Sequence, residues 1–211
     1  MLIIGNDEMN KADKKVQAMK QLYVDAVEEL PPNAPPPRGK AVQINCFVDS
    51  DHAGDSTTRR SRTGFIIMLN NAPIYWFSKK QTSVETSSFG SEFIAMKTCC
   101  EYIRGLRYKL RMMGIPVDFP TYVFGDNQSV LSNTLKPHSS LKKKSSSIAF
   151  HFTREGVAKD EWRVTYISTH DKNPFICEPN SFGGETIRHG KCLFVIPNRK
   201  TKISPFSQHY R

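Results

Sequence analysis

The sequence predicts an α/β domain with a mixed five-stranded sheet flanked by helices, and three observations predict it. Two short apolar runs, Ile44-Asn45-Cys46-Phe47-Val48-Asp49 and Thr121-Tyr122-Val123-Phe124-Gly125-Asp126, each end in an acid. Between them, two strand-like runs flank Asn70-Asn71, which reads as a hairpin turn. Apolar residues then recur at steps of three and four from Phe89 to Met113, which is helical spacing.

Taken in chain order, residues 1–30 read as a partly helical lead-in, with Ala12, Val16, Met19, Leu22, Tyr23 and Val27 at helix-like intervals. The stretch Pro31-Pro32-Asn33-Ala34-Pro35-Pro36-Pro37-Arg38-Gly39 breaks any helix and reads as an extended linker, so that residues 1–40 precede the main domain. Strand one is expected over Ala41–Val48, and the hairpin strands over Thr63–Leu69 and Pro73–Ser78. From Ser87 the pattern turns helical: Phe89, Phe93, Met96, Cys100, Ile103, Leu106, Leu110 and Met113 form a stripe, and Glu92 falls at its edge. Gly114 and Pro116 end that helix. Strand four is Tyr122–Phe124, a short helix follows Asp126, Ser145–Val157 is helical, and Trp162–Ile167 is strand five. The main domain is thus expected over residues 41–174. Residues 175–211 show no clear periodicity and read as a disordered basic tail.

Composition narrows the partners. A net charge of +10 and a pI near 9.4 favour an anionic partner or, equally, a merely solvated basic surface. Five cysteines without a CxxC pair argue against a disulfide framework or a zinc site and fit a reducing, intracellular setting in cytoplasm or nucleus rather than secretion. No segment approaches the roughly 20 apolar residues of a membrane span, and Met1-Leu2-Ile3-Ile4-Gly5 is too short an apolar stretch for a signal peptide.

Asp49, Glu92 and Asp126 carry the chemistry. Two strand ends and one helix face can converge on a single point. Three carboxylates there repel one another unless a cation neutralises them. Such hard oxygen ligands suit Mg²⁺ or Mn²⁺, and the arrangement suits phosphodiester hydrolysis. Singly, each acid has a plainer reading: an Asp at a strand end is a turn former, and a Glu near a helix start is a surface residue favoured by the helix dipole.

The order strand–Asp, hairpin, helix–Glu, strand–Asp, helix resembles the ribonuclease H fold. The local motifs resemble, more narrowly, the ribonuclease H domain of copia-type LTR retrotransposons. They are Val48-Asp49-Ser50-Asp51-His52-Ala53-Gly54-Asp55, Arg59-Arg60-Ser61-Arg62-Thr63-Gly64-Phe65, Trp76-Phe77-Ser78-Lys79-Lys80-Gln81, and Glu85-Thr86-Ser87-Ser88 leading to Ser91-Glu92-Phe93-Ile94-Ala95. Gly125-Asp126-Asn127-Gln128-Ser129 and Phe150-His151-Phe152-Thr153-Arg154-Glu155 follow in the same order. The resemblance covers roughly residues 41–174. It implies a metal-dependent endonuclease acting on the RNA strand of RNA–DNA hybrids, with Asp49, Glu92 and Asp126 as metal-binding acids and a Mg²⁺ or Mn²⁺ pair as cofactor. It also implies a reverse transcriptase domain of a parent polyprotein as neighbour. The family's fourth acid has no counterpart in register: Phe175 stands there, and the nearest acids, Asp171 and Glu178, are the candidate substitute ligands. A catalytically inactive nucleic-acid-binding remnant is therefore the alternative.

Arg59, Arg60, Arg62, Lys79 and Lys80 cluster around the hairpin, as a phosphate-contacting surface or as a charge-protected solvated edge. Lys142, Lys143 and Lys144 form a second basic run, read as a localisation-like patch, a phosphate contact or a solvated loop. Asp51 and Asp55 lack the glycine and glutamate of a calcium loop and read first as turn residues, with indirect support of the metal as the lesser option. Tyr75 and Trp76 are expected to pack in the core rather than stack on bases. His151 is expected to be structural, and His170, next to Asp171, reads first as a turn residue, with proton transfer as the bolder option.

Overall fold

The computed structural model describes residues 6–138, 147–167, 175–176 and 193–194. Five strands form one sheet: β1 (Ile44–Asp51), β2 (Arg62–Leu69), β3 (Ala72–Lys80), β4 (Thr121–Gly125) and β5 (Trp162–Tyr166). Their order is β3-β2-β1-β4-β5. β1, β2 and β3 pair antiparallel, whereas β4 pairs parallel with both β1 and β5. The sheet is mixed, as expected, because the hairpin reverses the chain and the later connections cross over through helices.

The hairpin turn is Asn70-Asn71, with φ of +49° and +71°. A two-residue turn with both φ values positive matches the right-handed twist of its strands, and Asn tolerates that conformation. The long helix α2 (Ser88–Met112) crosses over from β3 towards β4 and packs on β1 and β2. Ser87 caps its start by accepting a hydrogen bond from Gly90 N. Its end is closed by Gly114 at φ +72°, with Ile115 N donating to Leu110 O and Gly114 N to Arg111 O. Of the expected stripe, Phe93, Met96, Cys100, Ile103 and Leu110 are buried, Phe89 and Leu106 pack partly against the core, and Met113 is exposed. Cys46, Cys99 and Cys100 are free and buried where β1 meets α2.

The short helix α3 (Gln128–Leu135) begins beside Asp126, with Asn127 Oδ1 accepting from Ser129 N and Val130 N. Helix α4 (Ser147–Ala158) precedes β5. Gly156 is the place where the indole of Trp162 lies against the α4 backbone, and a Cβ there would collide with the ring. The Trp162 Nε1–H donates to Thr153 O at 3.0 Å, so this buried indole is satisfied.

The lead-in takes part in the core. Helix α1 (Asn6–Leu22) packs against α4 and α3, with Val16 and Met19 buried. Tyr23 Oη and His151 Nδ1 are hydrogen-bonded at 2.8 Å, which gives His151 the structural role expected of it. Further on, Glu28 is gripped by two guanidinium groups: Arg107 donates at 2.8 and 3.1 Å, and Arg111 at 2.6 and 2.8 Å. Burial pushes the Glu28 carboxyl up, but the hydrogen bonds and charges of the two arginines outweigh it and hold it below its ordinary value. The proline-rich stretch then runs beside the exit of α2, with Arg38 N donating to Gly114 O and Val42 N to Pro116 O. Arg107 is only 3% exposed, so removing its counter-ion strands a buried charge. Glu28→Gln is expected to destabilise the fold by roughly 2–3 kcal/mol in urea unfolding. A cost near zero would make the ion pair a surface ornament.

One packing expectation is corrected. Trp76 is 66% exposed and does not lie in the core. β3 is an edge strand, and its alternation turns Tyr75 and Phe77 towards Phe65 and Tyr102, which leaves Trp76 on the opposite face. Tyr75 packs as expected. In the stretch expected to lack regular structure, two two-residue strands, β6 (Phe175–Ile176) and β7 (Leu193–Phe194), pair antiparallel. Among the described residues, no helix is long and apolar enough to cross a membrane.

Candidate metal centre

Asp49, Glu92 and Asp126 meet. One carboxylate oxygen from each lies within 4.8 Å of the others, and all three residues are half-buried. Each reaches the point by a different local rule. Asp49 sits on β1, opposite Gly64 of β2, so no side chain of its antiparallel partner crowds it. Asp126 follows the last residue of β4, the parallel neighbour of β1, which sets two strand ends side by side. Glu92 lies in the second turn of α2, one residue before the buried Phe93, and so emerges at the margin of the packed face.

The electrostatics follow from this crowding. The Glu92 carboxyl is pushed up to about 9, first by burial and then by the negative charges of Asp49 and Asp126. Hydrogen bonds from Ser50 pull the other way without prevailing. Asp49 Oδ1 accepts from Ser50 N at 2.7 Å. Three carboxylates this close share one region of negative potential, and the donor set consists wholly of hard oxygens. Both features fit a divalent cation of the Mg²⁺ or Mn²⁺ kind.

A polar network that the sequence reading did not single out stands behind the acids. Ser50 Oγ donates to Ser91 Oγ at 3.1 Å, and Ser91 Oγ donates to Ser88 O at 2.9 Å. His52 Nδ1 lies 3.4 Å from Ser91 Oγ. Gln81 Nε2 donates to Thr63 Oγ1 at 3.0 Å and to Ser91 O at 2.9 Å. The signal for it in the sequence was only that Ser50 and Ser91 adjoin two of the acids.

The basic residues of the hairpin gather at the same end of the sheet. Asp51, Arg62 and Lys80 are register partners across β1, β2 and β3. Arg60, Arg62 and Lys80 line one cleft together with Asp55 and Thr57. Arg59, Arg60, Lys79 and Lys80 are exposed. Lys80 pairs with Asp55, and that bond is the main reason the Asp55 carboxyl is held far below its ordinary value. Asp55 Oδ1 also accepts from Thr57 N at 3.1 Å and Thr58 N at 2.7 Å, so Asp55 is a turn residue, as expected. Asp51 folds over Gly54, where any Cβ would collide with its carboxylate. Lys142, Lys143, Lys144, His170, Asp171 and Glu178 lie outside the described residues.

No protein-family model matches the chain. Curated relatives do, among them two from Arabidopsis thaliana. The retrovirus-related Pol polyprotein from transposon RE2 is 29% identical over 135 residues, which are 64% of this chain and 9% of that protein. The retrovirus-related Pol polyprotein from transposon RE1 is 30% identical over 135 residues, again 64% of this chain and 9% of that protein. The chain thus spans about a tenth of the length of these relatives. Among solved structures, LC11-RNase H1 in complex with an RNA/DNA hybrid is similar at a TM-score of 0.46 and 14% identity, over 60% of this chain and 86% of that one.

Proposed function

We propose that this chain, whose homologues are retrovirus-related Pol polyproteins of plant transposons, is a ribonuclease H-type nuclease domain that cuts the RNA strand of RNA–DNA hybrids. The reading takes it to work inside the cell, beside the reverse transcriptase domain of a parent polyprotein. The observation that carries the reading is the meeting of Asp49, Glu92 and Asp126 at one point. Those three side chains would hold the metal. When bound, Mg²⁺ or Mn²⁺ supplies water activation and stabilisation of the leaving oxygen.

The chain's own residues do the rest. Glu92 releases its proton so that all three carboxylates present oxygens. Arg60, Arg62 and Lys80, at the same end of the sheet, meet backbone phosphates. Lys80 must exchange Asp55 for a phosphate to do so. Discrimination rests on the 2′-hydroxyls and the shape of the hybrid, not on base sequence.

The test is cleavage of labelled RNA–DNA hybrid, RNA duplex and DNA duplex across Mg²⁺ and Mn²⁺ titrations. The expected result is metal-dependent cutting of the RNA strand of the hybrid alone. Cutting that ignores metal, or that spares the hybrid while degrading another substrate, overturns the reading. The second reading, a catalytically inactive nucleic-acid-binding module, is favoured by Phe175 at the register of the fourth acid. It predicts hybrid binding without cleavage. Under both readings binding weakens steeply with salt. Lys79→Ala combined with Lys80→Ala is expected to flatten log affinity against log salt by about 1–2 in slope, at roughly 0.7–0.9 for each phosphate left without its lysine. An unchanged slope would assign both lysines to protection of the β3 edge.

A further inference from the structure

We infer that Gln81 is a positioning residue for the metal centre: its buried side-chain amide ties the turn of α2 that carries Glu92 to the hairpin strand beside Asp49. The inference rests on the reading of the acids as a metal site and adds to it the part that sets the spacing of two of them.

The geometry is specific. Gln81 follows the last residue of β3 and is 6% exposed. Its backbone N–H donates to Ser61 O at 2.8 Å, which anchors the residue to the start of β2. One hydrogen bond from Nε2 goes to Thr63 Oγ1, and Thr63 is the register partner of Ser50, the residue after Asp49. The other goes to the carbonyl of Ser91, the residue before Glu92. Ser50 and Ser91 are themselves joined hydroxyl to hydroxyl. A closed set of contacts thus runs from Asp49 through Ser50 and Thr63 to Gln81, and back through Ser91 to Glu92. Ser91, Thr63 and Ser61 are all buried, so water does not compete for these bonds.

The need for such a brace follows from the packing. α2 meets β1 mainly through soft apolar contacts. Apolar packing resists separation but sets the axial and rotational position of a helix only loosely. Directional hydrogen bonds to the carbonyl and hydroxyl of Ser91 fix the first turns of α2, and Glu92 with them, relative to β2 and Asp49. Gln81 does this although its Oε1 is buried and finds no hydrogen-bond partner among the described residues, a cost to stability that an apolar side chain of the same shape would not carry.

The experiment uses the full chain and Gln81→Met, which keeps the shape and removes both donors. Mn²⁺ binding is measured by titration calorimetry, and steady-state hybrid cleavage is measured in parallel. The expected result is Mn²⁺ affinity lowered roughly tenfold or more, in the range typical of outer-shell partners. kcat should fall and KM for the hybrid should hold, because phosphate contacts are untouched. Amide hydrogen exchange at Ser91–Phe93 should speed up while the β1–β4 ladder stays protected. Mn²⁺ affinity and exchange both within twofold of the unmodified chain overturn the inference. If the unmodified chain binds no Mn²⁺, the metal-site reading fails, and exchange at Ser91–Phe93 alone decides whether Gln81 positions α2: faster exchange supports it and unchanged exchange overturns it. Should Gln81→Met not fold, Thr63→Val keeps the shape, removes one of the two acceptors of the Gln81 amide and carries the same expectations.

Discussion

Asp49→Asn is expected to lower hybrid cleavage and Mn²⁺ affinity by at least about 100-fold, since under the proposed reading Asp49 is a direct ligand, which matters more than the outer-shell partners whose loss costs 10–100-fold. The amide keeps the shape of the carboxylate and most of its hydrogen bonding, including acceptance from Ser50 N. What it removes is one negative charge at a site where three carboxylate oxygens lie within 4.8 Å of each other. A site built on the attraction of concentrated charge for a small dication suffers most from that change. Under the proposed reading hybrid binding should change little, because affinity would come from phosphate contacts made by the basic residues and not from the acids. The mutation thus separates cleavage from binding. Equal losses of both would mean that Asp49 supports the fold. Cleavage unaffected by Asp49→Asn would remove the metal site altogether.

The second large effect is a pH dependence of stability that metal abolishes. The folded-state Glu92 carboxyl is raised from an ordinary value of 4.5 to about 9. Between those values the folded chain keeps a proton that the unfolded chain has released. The associated stability is therefore complete below about pH 4.5 and is lost as pH rises towards 9. Metal-free protein should lose roughly 2–4 kcal/mol across that window, less than the full shift implies at about 1.4 kcal/mol per unit, because the site is half-buried and water screens it. Saturating Mg²⁺ or Mn²⁺ replaces the proton and should restore stability most at the alkaline end, with release of about one proton at pH 7–8. Glu92→Gln should be more stable than the unmodified chain at pH 8 without metal, show a flatter profile, and gain little on adding metal. Urea melts from pH 5 to pH 9, with and without Mn²⁺, provide the check. A flat profile for the unmodified chain would show that burial and the two aspartates do not crowd Glu92 in solution.

The regular elements were legible because each rests on local chemistry. Asn70-Asn71 needs only the left-handed tolerance of Asn to close the hairpin, and the observed β2 and β3 lie within two residues of expectation. Ser87 and Gly114 bound α2 through caps that involve only near neighbours in the chain. The three acids were legible for a related reason. A strand end and a helix edge are positions that periodicity defines, and the order of elements then says which ends can meet.

Where the reading stopped, long-range geometry took over. Strand periodicity says that Tyr75 and Trp76 face opposite ways, but not that β3 forms the edge of the sheet. The edge position is what leaves Trp76 in solvent. The lead-in showed a helical pattern, but nothing local announced that Val16 and Met19 would enter the core or that Glu28 would bind arginines 79 and 83 residues away. Gln81 is the sharpest case. A glutamine after a strand is unremarkable in sequence, and it matters only because β2 and the first turns of α2 both come within hydrogen-bond reach of its amide. Propensity, period and capping act over a few residues, so composition and spacing settle the strands, the helices and the positions of the acids. Hydrogen bonds and ion pairs between distant segments depend on which surfaces the sheet order brings together, and only the folded chain decides that.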